Sequence, residues 1–116
     1  MPFSDTRVLI ATALDTVTGV TGHSYRPASI ASGSAWPQLV AITRGPGDAF
    51  MTTWQITVVL GADERAAANF IDDLWPELVD ELEDLHGIVY VNEAAPAPMP
   101  IQGQNMHVLQ VMVTAD

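Results

Sequence analysis

The chain has 116 residues, 48% of them apolar, and its four Lys plus Arg against 14 Asp plus Glu leave a formal charge of -10. That length fits one domain with one core, the apolar content excludes a disordered chain, and the negative balance opposes binding to phosphate backbones or anionic membrane surfaces. With no cysteine there is no disulfide framework or thiolate chemistry, and no apolar run approaches the roughly 18 to 20 residues needed to cross a bilayer.

Residues 1–7 lack a basic stretch followed by an apolar one, so a soluble chain made in the cytoplasm is expected. Ser4 or Asp5 can cap a first helix whose apolar positions Ile10, Ala13, Leu14 and Val17 recur at helical spacing, with Gly19 ending it. A short extended piece is expected at 23–26, stopped by Pro27. The small, polar segment 28–35 reads as a surface loop.

Residues 36–43 read as a strand, with Pro37 tolerable at its beginning or on an edge. Arg44, Gly45, Pro46, Gly47 and Asp48 form a turn cluster. In 50–60 the even positions Phe50, Trp54, Ile56, Val58 and Leu60 form an apolar face interrupted by Thr52. Two strands so connected predict an antiparallel hairpin. Asp63 can cap the next helix, with Glu64 in its first turn. The core stripe of that helix is Ala67, Phe70, Ile71, Leu74, Leu78, Leu82 and Leu85, and a kink or break is expected near Trp75, where Pro76 removes a backbone donor. Asp72, Asp73, Glu77, Asp80, Glu81, Glu83 and Asp84 crowd the opposite face, which should stay in water or meet a basic partner.

His86 and Gly87 should close the helix before an apolar strand at 88–94. Three prolines in 95–100 cannot sit in a central strand, so that stretch is expected to cross in extended form or protrude as an arm. The last strand, 106–114, is apolar on both alternating sets: Met106, Val108 and Met112 on one, Leu109, Val111 and Val113 on the other. One set should face the helices and the other needs a second cover, which a partner subunit would supply. The expected order is α-β-β-β-α-β-β: an α+β domain spanning 1–116, with two main helices on one face of a mainly antiparallel sheet of four to five strands.

Chemistry-bearing constellations are sparse. His23, His86 and His107 share no metal-ligand spacing. Ser29, Ser32 and Ser34 lie in no nucleophile elbow, and the glycines form no phosphate-binding loop. The carboxylates of the second helix are better explained as a solvated face than as an acid–base pair. Trp54 fits a core position, Trp75 marks the helix break, and Trp36 is open between packing and lining a pocket. No catalytic residue, cofactor or metal site is expected. The acidity reads first as solubility.

The chain resembles the tail terminator, or tail completion, proteins of long-tailed phages, especially those of actinobacterial hosts. The resemblance rests on the opening helix, the Tyr25-Arg26-Pro27 element, the small-residue loop into Ala35-Trp36-Pro37, and the strand from Trp54 to Gly61. It continues with Ala62-Asp-Glu-Arg-Ala-Ala66 opening a helix, and with a late Pro-Ile-Gln-Gly103 stretch before the closing strand. It implies a virion protein, made in the host cytoplasm, that closes into a ring, typically a hexamer, at the head-proximal end of the tail. There it would stop growth of the major tail-tube protein and present a surface to the head–tail connector, with no cofactor, membrane or sequence-specific nucleic-acid partner.

Such a role needs differential affinity between two ring faces, and a heterologous interface whose rotation closes. Candidate contacts are Arg44, Pro46 and Asp48 at the hairpin tip, Pro96, Pro98 and Met99 in the arm, and Met106, Val108 and Met112 on the final strand. Six copies of a -10 chain would carry -60, discouraging DNA from sticking in a central opening. Alternatives are another neck protein, such as a head–tail adaptor or stopper, and a small regulatory ligand-binding α+β domain.

Overall fold

A computed structural model describes residues 3–45, 47, 49–85 and 88–115, leaving aside the side chains of 3, 4 and 88–90. The elements are α1 (Phe3–Thr16), β1 (Thr21–Gly22), β2 (Ser34–Arg44), β3 (Phe50–Gly61), α2 (Glu64–Glu83), β4 (Ile88–Ile101) and β5 (Gln104–Ala115). They form an α+β domain in the expected order, around one five-stranded sheet ordered β1-β2-β3-β5-β4. The short β1 runs parallel to β2, and every other pairing is antiparallel.

Alternation in β3 sends Trp54, Ile56, Val58 and Leu60 to the face that both helices cover. There they meet Ile10, Leu14 and Val17 of α1, Leu74, Leu78 and Leu82 of α2, and Leu109, Val111 and Val113 of β5. Each large side chain so enclosed contributes roughly 1.5–3 kcal/mol relative to exposure. Thr52, the interruption in the pattern, is buried on the same face. Its hydroxyl donates to the Ala115 carbonyl (3.2 Å) and accepts from the Trp54 indole N–H (2.8 Å), so the buried indole keeps a partner.

α1 starts at Phe3, which puts Ser4 and Asp5 inside its first turn rather than at its cap. It ends at Thr16, ahead of Gly19. The extended piece expected at 23–26 lies earlier, at Thr21–Gly22, because α1 crosses directly over it. A Cβ on Gly22 would stand 2.1 Å from the Ala11 carbonyl oxygen, while its N–H donates to the Asp15 carboxylate. Only glycine allows that approach.

Asp63 caps α2 as expected, accepting from the Ala66 N–H at 3.0 Å. The break expected at Pro76 is absent: α2 is a single helix of 20 residues. Pro76 is exposed, whereas Leu74, Leu78 and Leu82 are buried on either side of it. Packing therefore holds both halves against one surface and outweighs the missing backbone donor. The helix ends at Glu83 with Asp84 as its cap, and His86 and Gly87, expected to close it, lie outside the described residues.

The expected arm at 95–100 is instead the second half of β4, paired to β5 as far as Ile101 opposite Gln104. Pro96, Pro98 and Pro100 occupy alternate positions, and alternate residues of a strand direct their N–H groups to the same side. Because β4 is an edge strand, that side can be the outer one, so the ladder to β5 is kept. Gln102 and Gly103, with φ of 52° and 78°, make the tight two-residue turn into β5. The β2–β3 and β4–β5 hairpins extend from opposite ends of the sheet, in a molecule measuring 46 × 27 × 20 Å.

Candidate interaction surface

The face of the sheet turned away from the helices has two parts. Near the Gly61 end of β3, Trp36, Val59, Ile101 and Val108 form a small second core, joined by half-buried Ile30, Ala97, Met99 and Met106. Ile30 comes from the segment expected to be a surface loop. That segment also extends the sheet, with the Gly33 N–H donating to the Val59 carbonyl at 2.7 Å. Farther along the strands the same face turns polar: Gln38 lies opposite Gln55, and Thr57 opposite Gln110.

Over this polar floor opens a cavity of about 370 Å³, lined in part by Arg7, Tyr25, Arg26, Trp36 and Gln38. Its cations are held by aromatic rings. The Arg7 guanidinium lies 4.9 Å from the centroid of Tyr25 and 5.1 Å from that of Trp54, and the Arg26 guanidinium lies 5.6 Å from Trp36. A stacked guanidinium keeps its N–H edge available for planar acceptors, so the cavity is suited to a carboxylate or a similar anion. A second cavity, of about 210 Å³, lies between α2 and the β4–β5 hairpin, where Ala67, Ile71, Pro96 and His107 contribute to a mainly apolar wall.

The expected contact residues do not form one patch. Arg44 is exposed at the β2–β3 hairpin, 4.9 Å over the Phe50 ring. Phe50 and Ile42 there are 52% and 48% exposed. Pro46 and Asp48 lie outside the described residues. Pro96 and Pro98 are exposed along β4, and Met99, Met106 and Met112 are half-buried. Val108 is not available as a contact: it is 0% exposed, because Trp36, Val59 and Ile101 cover that part of the strand set expected to need a partner, while Met112 of the same set lies outside this second core.

The acidic face of α2 is also partly engaged. Glu77 accepts hydrogen bonds from the backbone N–H and hydroxyl of Thr18, fastening the α1–β1 turn, and Glu83 accepts from the Val91 N–H at 3.1 Å. Asp72, Asp73 and Asp80 remain exposed. Among the described residues no group of three or more His, Cys, Asp or Glu is placed to hold a metal ion.

Arg7, Tyr25 and Arg26 were not singled out by residue chemistry. Their signal was scarcity, since the chain has no lysine and only four arginines, and two of the four line one cavity. No protein-family model matches this chain, and no curated protein matches its sequence.

Proposed function

We propose that this chain is a tail terminator of a long-tailed phage: a structural protein that closes into a ring, of six copies by resemblance, on the head-proximal end of the tail tube. There it ends tube growth and offers a joining surface to the head–tail connector. The observation that supports the reading is the arrangement of the two hairpins, which leave a helix-backed sheet at opposite ends, as two separate points of contact would require. One end, with exposed Ile42 and Phe50, offers apolar area, and the other carries the proline-rich edge. Two dissimilar ends are what a cap needs if it is to accept a tube ring on one side and refuse it on the other.

The test is assembly without the protein. Tails from a phage lacking this gene are expected to exceed normal length or fail to join heads when measured by electron microscopy, and tails of normal length that join heads would reject the role. A second reading, a small regulatory ligand-binding domain, is favoured by the 370 Å³ cavity, which falls within the usual range of small-molecule sites. It calls for a monomer or dimer that binds a small anion and does no work in tail assembly.

A further inference from the structure

The scarce cations of this chain are concentrated where they can be used. Arg7 and Arg26 converge on one cavity, fixed over Tyr25, Trp54 and Trp36, above a floor whose glutamines add uncharged donors. Stacking of this kind orients the guanidinium plane in advance, so less freedom is lost when a carboxylate docks. A phosphate-bearing polymer is opposed by the -10 charge of the whole chain. A second copy carries the same -10 charge, so what favours it is local: carboxylates presented at this spot, with the rest of its charge held farther away.

We propose that the cavity between Arg7, Arg26 and Trp36 receives the exposed acidic side of α2 from a second copy, with Asp72, Asp73 and Asp80 supplying the carboxylates. Charge complementarity argues for this occupant: these three side chains are exposed, unlike Glu77 and Glu83, which already serve contacts within the chain. Placement is compatible with it. The cavity has its floor on the far face of the sheet and takes Arg7 from α1 at its rim, a surface distinct from the acidic side of α2. A contact between two different surfaces is heterologous, and repetition of such a contact closes a ring when its rotation allows. For its geometry the proposal rests on the ring reading, and it names where neighbouring copies meet.

The experiment is a concentration series of the isotope-labelled full chain, followed by NMR from micromolar to millimolar at near-physiological salt, which screens the general repulsion between two -10 copies. The Trp36 indole N–H and the Arg7 and Arg26 side-chain signals are expected to move together with the backbone amides around Asp72, Asp73 and Asp80. Arg26→Glu, at an exposed position, and the triple change Asp72→Asn, Asp73→Asn, Asp80→Asn should each weaken this association about fivefold or more while leaving the amide dispersion of the folded chain intact. Signals that stay fixed with concentration would overturn the proposal. So would movement that persists unchanged in the triple variant, or cavity signals that respond to added succinate but not to more chain, which would make this a small-anion site. These readouts need no phage: a fixed spectrum rejects the contact and leaves the ring to another surface, while normal tails in the deletion phage reject the ring and leave the contact.

Discussion

The two faces of the sheet are built from the same long strands, yet they solve different problems. On the helix side, β3 and β5 supply a large side chain at nearly every alternate position, because both helices exclude water along the strands. On the far side, apolar residues occur where Ile30 and Trp36 fold over Val59 and Val108, and they give way to Gln38, Gln55, Thr57 and Gln110 where that local cover ends. One strand face can thus be core at one end and a polar cavity floor farther along. Covering structure, rather than hydrophobicity alone, decides which residues are free to meet a partner.

The contrast can be broken first at the helix side. Trp54→Ala should cost about 3–5 kcal/mol in chemical denaturation, since it empties a fully buried site and strips the Thr52 hydroxyl of its indole donor. Val108→Ala should cost about 2 kcal/mol by the same measurement, and a loss below about 0.5 kcal/mol would mean that the second core is not a core. Pro76→Ala should stabilise by about 1 kcal/mol or more, read as a higher denaturation midpoint, by restoring a backbone bond within α2. A destabilised variant would show instead that the proline is needed where it stands. A smaller effect than at Val108 is expected on the far side beyond the second core: Met112→Ser, at a half-buried position opposite Gln55, should cost about 1 kcal/mol.

Much of the fold was legible because it depends on periodicity. The alternation of 54–60, the stripe from Ala67 to Leu82 and the Asp63 cap are local patterns, and the structure keeps each of them, while Phe50 at the start of the same face stays exposed. What could not be read from local pattern was set by tertiary contact. Burial of Leu74, Leu78 and Leu82 carries α2 through Pro76, pairing with β5 makes a strand of 95–100, and Ile30 turns an apparent surface loop into cover for Val108. Of the residues expected to make contacts, Arg44 at the end of β2 and Pro96 and Pro98 within the edge strand β4 are exposed. The cavity was not, since Arg7, Arg26 and Gln110 are brought together from distant parts of the chain by α1, the segment after β1, and β5.

The alternate prolines of β4 bear on how such a molecule avoids unwanted company. An exposed strand with a free row of amide hydrogens is a template on which another chain can add itself, and then another, without limit. Along 96–100 that template has carbonyls but no regular series of donors, so backbone zippering between copies is blunted there. Copies that meet on this flank must recognise one another by their side chains rather than by backbone pairing, which makes the association selective.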